Sequence, residues 1–392
     1  MKKFLSVLLC LICVAVCAAV IFKVTDRDGP AVNPDAGVSH TQSVQQMQEL
    51  GSPYKFYYEK LSEIEKQAYD KILSEIYSMP ESIRLPRIDA NQLDSVFSAL
   101  LCDNPDLFFV GRKCTLVTEL FRVSCSIEYI FDKEEYESCK AELDEVCDKV
   151  IASLSDPDDE WQTELEIHDY IVDNCDYKLV ENDHTYSSAY GALVNGEAAC
   201  EGYSKAAKLL FDRAGIESAV VSGLSAGADG TQGAHMWNAV KIYGDYYYLD
   251  CTWDDPLSDD GEDVKIYSYF NLSNEMIAST HSDFSYDFGC EATAANYYIK
   301  TGRYFKTYDR DDEEAVARIV ASELDAGGDI IEIRFGSKKA FDSAVDDLIK
   351  GERIYEVLTL ARAKTKVRFS LDSLSYYTDP DLLTLTIVPE RS

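Results

Sequence analysis

Basic side chains are scarce in this sequence: 37 Lys and Arg stand against 70 Asp and Glu, a formal net charge of −33. Such a surface repels phosphates, which excludes nucleic acid as a partner. Although the chain has 12 Cys, none of the nine after residue 23 forms a Cys-x-x-Cys pair, and without that spacing a zinc site is not expected. The acidic stretch 254–263 misses the ligand spacing of an EF-hand and reads as a solvated loop. Long apolar runs are equally rare. The exception is residues 4–22, 19 uncharged residues behind a basic start, just long enough to span a bilayer and long for a signal-peptide core. The charges before it predict an N-inside orientation that exports everything after Lys23. A retained anchor, cleavage near Ala18 or Ala19, and lipidation of Cys17 are open readings of this segment. Each makes the protein extracellular, either membrane-anchored or secreted, with the N-terminal segment as its one membrane contact.

What the sequence does have gathers in residues 195–255. Asn195-Gly196 is a turn signal, and from Tyr203 the positions Tyr203, Ala206, Ala207, Leu210 and Phe211 recur at helical spacing until Gly215 stops the helix. Cys200 therefore falls at or just before the first helical turn. There the unpaired backbone N–H groups and the positive end of the helix dipole favour a thiolate. Residues 234–241 and 246–252 read as two strands around the turn signal Tyr243-Gly244-Asp245. Any even-numbered turn puts His235 and Asp250 on one sheet face. A two-residue turn leaves them offset along the strands, which a bulge or a longer turn would correct.

A helix-terminal Cys, a His that can take its proton and an Asp that can hold the imidazole form the general arrangement of a thiol nucleophile. Taken singly, each has an ordinary reading as a small buried thiol, a satisfied core imidazole or a turn cap. Their joint spacing argues otherwise. The blocks 196–203, 235–240 and 247–253 resemble the Gly-x-x-x-Cys-x-Gly-Tyr, His-x-Trp-Asn-x-Val and Tyr-x-x-Asp-x-Thr-Trp core of the transglutaminase-like superfamily, a papain-like thiol-enzyme fold. The resemblance implies Cys200 as nucleophile, His235 as base and Asp250 as the orienting residue. It also implies Tyr203, Trp237 and Trp253 at the substrate site, although core packing explains the two Trp equally well. No metal and no organic cofactor is implied. His168 and His281 read as structural, the second as a packing or capping residue.

The whole chain reads as α+β, with a central papain-like, transglutaminase-like core between two smaller α+β modules. Residues 1–23 form the export or anchor helix and 24–53 a polar, aperiodic tether. An N-terminal module follows at 54–155, the core at 156–290 and a C-terminal module at 291–392. In the N-terminal module, residues 90–110 read as a helix followed by a strand. The C-terminal order of helix, strand, helix, strand, strand repeats that of residues 54–132, as a duplicated module would. Of the 12 Cys, nine lie after the export segment. Outside the cell an odd number leaves at least one thiol unbridged, and Cys200 is the natural candidate.

The expected activity is attack of the Cys200 thiolate on a peptide or amide carbonyl of a cell-surface substrate, giving a thioester. Hydrolysis of that thioester is favoured because none of the large all-β domains of the animal cross-linking enzymes is recognisable. Transfer to an amine is the alternative, and a binding module that kept the fold without catalysis is a third reading.

Overall fold

The computed structural model describes residues 52–391, leaving out 121, 182, 228–230 and 257–264. The apolar run at 4–22 and nearly all of the tether lie outside the described residues. Among the described residues no helix is long and apolar enough to cross a membrane.

The N-terminal module holds helices α1 (Glu63–Ile76) and α2 (Ala90–Asp103) against a sheet of β1 (Ile83–Leu85), β2 (Val110–Glu119) and β3 (Arg122–Tyr129). Each helix starts where a side chain satisfies its first backbone donors: Ser62 and Glu65 form a capping box at α1, and Asp89 accepts from Gln92 N at α2. The long helix α3 (Lys133–Ser153) follows, capped by Asp132. The strand expected to end near residue 110 begins there instead. Leu107, Phe108 and Phe109 are buried in a turn, and the strand itself is the alternating stretch in which Cys114 and Leu116 point inward.

In the core, α4 (Glu160–Asn174) leads to a two-residue parallel pairing of β4 (Asp176–Tyr177) with β5 (Glu197–Ala198), and α5 (Cys200–Ala214) follows at once. An antiparallel sheet of β6 (Ser218–Ala226), β7 (Gln232–Ile242), β8 (Asp245–Leu249) and β9 (His281–Ser282) is ordered β8-β7-β6-β9. One face carries Val240, Ile242, Tyr247 and Leu249 into an apolar core shared with α4, α5 and the N-terminal module. The other face carries Trp237, Ala239 and Tyr248 into a separate cluster with Leu272 and Phe288.

The C-terminal module places β10 (Tyr304–Phe305), β11 (Ile331–Phe335), β12 (Phe369–Asp379) and β13 (Thr384–Arg391) in the order β10-β11-β13-β12. Helices α6 (Glu313–Asp325), α7 (Lys338–Ala344) and α8 (Ile354–Arg362) pack on it around Val316, Val320, Ile333 and Leu385. Its β11-β13-β12 arrangement repeats the β1-β3-β2 order of the N-terminal module, while β10 and a third helix are additions. Buried polar groups dock the C-terminal module on the core: Glu332 accepts from Tyr267 N at 3.0 Å and Arg334 donates to Ser268 O at 3.3 Å. Leu382, in the β12–β13 turn, joins the Trp237 cluster.

Candidate active site

Cys200 is the first residue of α5, as its spacing predicts, and it is buried. The residue before it, Ala199, is extended and offers no side-chain cap, and the positive end of the helix dipole falls at Cys200. Gly202 is demanded by close packing: a Cβ there would lie 2.6 Å from Ala198 Cβ and 2.8 Å from Tyr186 O. Glu201, next to the thiol, would oppose a second negative charge there. Burial pushes its carboxyl up, but Lys205 and Arg112 outweigh that and hold it below the ordinary value. Arg112 comes from β2 of the N-terminal module and also donates to Ser187 Oγ at 2.7 Å. Nothing in the local sequence marked this tie between the module and the Cys200 helix.

The β7–β8 hairpin turns on Tyr243 and Gly244, both at positive φ, and its register runs from Ile242↔Asp245 to Asn238↔Leu249. The two-residue turn is thus retained and the hairpin register runs without a shift. Asp250 follows directly on β8, two positions out of step with His235, and its side chain bridges the offset diagonally. His235 Nε2 and Asp250 Oδ2 are 2.6 Å apart, both buried. This leaves His235 Nδ1 as the nitrogen that can receive a thiol proton.

Two hydrogen bonds place α5 relative to β7. Beyond the helix's C-terminal end, Glu217 O accepts from Lys241 N at 2.9 Å, and Asn238 Nδ2 donates to Ser204 O at 2.9 Å. Moving towards the start of α5 therefore means moving towards the start of β7. Four residues back along the helix, about 6 Å, is Cys200, and three residues back along the strand, about 10 Å, is His235. The helix start and the histidine lie at the same end of the sheet.

A residue read as packing also reaches Asp250. His281 on β9 places its Nε2 3.1 Å from the same Asp250 Oδ2, while its Nδ1 lies 2.9 Å from Thr280 Oγ1. Asp250 Oδ1 accepts from Thr252 N at 3.0 Å and Trp253 N at 3.2 Å. Burial pushes the Asp250 carboxyl up, yet the two imidazoles outweigh it and hold the group well below the usual range. Burial lowers the proton affinity of His281. His235, Asp250 and His281 are the group whose ligand atoms come close enough together to hold a metal among the described residues. Asp250 meets both imidazoles through Oδ2 and both backbone donors through Oδ1.

Of the residues expected to meet substrate, Trp253 keeps some surface, with its ring 5.7 Å from that of His235. Trp237 and Tyr203 are fully buried. Tyr203 spends its hydroxyl on Cys175 O and Asp255 Oδ2, each at 2.5 Å, which makes it a joint between α5 and the loop after Asp250. The loop 254–263 is mostly outside the described residues, but Asp254 is buried instead of solvated, bonded to Tyr269 N and His168. The nine described Cys are all unbridged.

Residues 145–251 match the family model described as the transglutaminase-like superfamily. No curated protein matches the sequence. A solved structure described as a TGase shares 16% identity over 43% of this chain and 48% of its own, with a TM-score of 0.26. A protein from Cytophaga hutchinsonii, provisionally named a cysteine protease, shares 15% over 37% and 55%, with a TM-score of 0.24. One from Parabacteroides distasonis, provisionally named a protease, shares 12% over 39% and 44%, with a TM-score of 0.23. The chain spans about half the length of each, and scores this low leave the family match as the finding that counts.

Proposed function

Residues 145–251 belong to the transglutaminase-like superfamily, and on that premise we propose that this is an exported cysteine enzyme that opens peptide or amide bonds of cell-surface substrates through a thioester. Cys200 is the nucleophile, His235 the base and Asp250 the residue that orients it. The observation that carries the reading is the buried 2.6 Å contact from His235 Nε2 to Asp250, at the sheet end towards which α5 presents Cys200.

In the first step His235 Nδ1 takes the thiol proton, and sulfur adds to the carbonyl carbon. The C–N bond then breaks and the amine leaves with the proton from the imidazolium, giving a thioester. A water gives a proton to His235 as its oxygen attacks, and the thiol is regenerated as the acid departs. Hydrolysis needs no dedicated acceptor site, which is why water is preferred. A surface carrying −33 would concentrate lysine-bearing acceptors at low salt, and this supports amine transfer as the second reading.

A thiol-reactive, amide-mimicking probe tests the core of the proposal. Cys200→Ala is expected to remove labelling and to lower turnover by about 10⁴-fold or more, with His235→Ala close behind. Equal labelling of another Cys in the native protein would overturn the assignment. Incubation of a glutamine-containing peptide with a labelled primary amine then separates the two outcomes: incorporation exceeding hydrolysis would replace the hydrolase reading with the transferase one.

A further inference from the structure

We propose that His281 is a positioning residue of this site: its Nε2–H fixes the free corner of the Asp250 carboxylate, so that the other hydrogen bond on that oxygen aims His235. The inference rests on reading Cys200, His235 and Asp250 as a thiol site. It adds a residue from β9, the far edge of the sheet from β8, that the three motif blocks do not include.

The argument begins with the carboxylate. Oδ1 is held by the backbone N–H groups of Thr252 and Trp253, and one pinned oxygen leaves a carboxylate free to pivot about it. Oδ2 is the corner that must be aimed, and it is bracketed by His235 Nε2 at 2.6 Å and His281 Nε2 at 3.1 Å. With Asp250 ionised, both nitrogens must carry their protons, so His281 Nδ1 is left to accept from the Thr280 hydroxyl at 2.9 Å. The tautomer is therefore fixed from both sides. Packing fixes the ring as well, with Trp237 at 4.8 Å and Trp253 at 5.0 Å between ring centres.

A filler would need none of this. Burying an imidazole costs desolvation that Leu or Phe avoids, and a core position with no polar task would favour them. The fold also clears space: at Gly223, paired with His235 on the neighbouring strand, a Cβ would meet Ser282 O at 2.6 Å and the Trp237 ring at 2.7 Å. The approach of β9 to β6, the strand beside that of His235, thus depends on the bare backbone at that position.

The test reads Cys200 directly and needs no substrate. In the full-length protein, iodoacetamide alkylation of Cys200 is followed by mass spectrometry at near-neutral pH, below the unfolding temperature of every variant. His281→Leu, which has no donor for Oδ2, is expected to slow alkylation by about 10-fold or more. His281→Gln, whose amide can donate to the same oxygen, is expected to recover most of the rate, and it remains informative if the Leu variant does not fold. Low-field imidazole N–H resonances provide a second readout: wild type should show two, and His281→Gln should keep the one from His235. Unchanged alkylation in a folded Leu variant, or a Gln variant with native stability but no recovery, would overturn the proposal. Wild-type Cys200 reacting no faster than an ordinary exposed thiol is a different outcome, which overturns the thiol-site reading beneath it and this proposal with it.

Discussion

Two histidine–aspartate pairs lie in the same core, at Asp250 and Asp254, and they are wired in opposite senses. At Asp250 one carboxylate stands between two imidazoles, His235 and His281. At His168 one imidazole stands between two carboxylates, 3.1 Å from Asp169 and 3.2 Å from Asp254. Burial pushes His168 down, but the two carboxylates outweigh it and raise its pKa to about 9, so it is a fixed cation at neutral pH. Asp254 moves the other way from Asp250, up to about 6, because burial is opposed there mainly by one cation. The outnumbered partner decides the behaviour. A cation held by two anions is a brace between α4 and the loop after β8; an anion held by two imidazoles fixes the orientation of both rings.

The sharpest way to break the comparison is to neutralise each aspartate in place. Asp250→Asn keeps the shape and loses the charge and the tautomer control, so probe reactivity is expected to fall by about 10³- to 10⁴-fold with a modest change in melting temperature. Asp254→Asn leaves His168 protonated in the interior with one partner fewer, and the expected loss is about 3 kcal/mol of stability with near-native reactivity in the folded fraction. Comparable loss of reactivity in both, measured well below the melting temperatures, would mean that the two pairs form one functional unit.

The next effect sharpens the brace. The folded pKa of His168 lies above the ordinary 6.5 at about 9. Its contribution is therefore fully present below pH 6.5 and is lost as pH rises through about 9, to a total of roughly 3 kcal/mol. Denaturant midpoints should fall across that window in wild type. His168→Gln should flatten this fall; an unchanged slope would assign the loss to other buried acids and remove His168 from the account.

How much of this was legible follows the same division between local pattern and tertiary wiring. The α5 start at Cys200 and the turn at Tyr243-Gly244 were readable because helical period, a stopping glycine and a turn pair are local signals. Strand β6 gave no such signal, since Ser218, Ala219, Val220 and Val221 are buried in succession and a strand covered on both faces has no alternation. The apolar run Leu107-Phe108-Phe109 looked like a strand and is a buried turn. His281 sits on a two-residue strand, and Arg112 reaches Glu201 from another module. Neither partner can be inferred from sequence spacing.

The smallest expected effect separates the two carboxylates of His168. Asp254 is fully buried, whereas the Asp169 side chain is 30% exposed and also lies 3.5 Å from Lys265 Nζ. Lys265 in turn bonds Asp173 at 2.7 Å, so the outer side of the brace is a partly wet network in which no single charge is indispensable. Removing the Asp169 charge leaves His168 with its dry partner, and it leaves Lys265 with Asp173. Asp169→Asn is therefore expected to cost about 1 kcal/mol or less, a fraction of the Asp254→Asn loss, and added salt should shrink that cost further because the exposed pair is screened. Urea midpoints of the two variants at low and high salt check this. Equal costs for Asp169→Asn and Asp254→Asn would show that His168 draws on both anions alike, and that burial does not rank them.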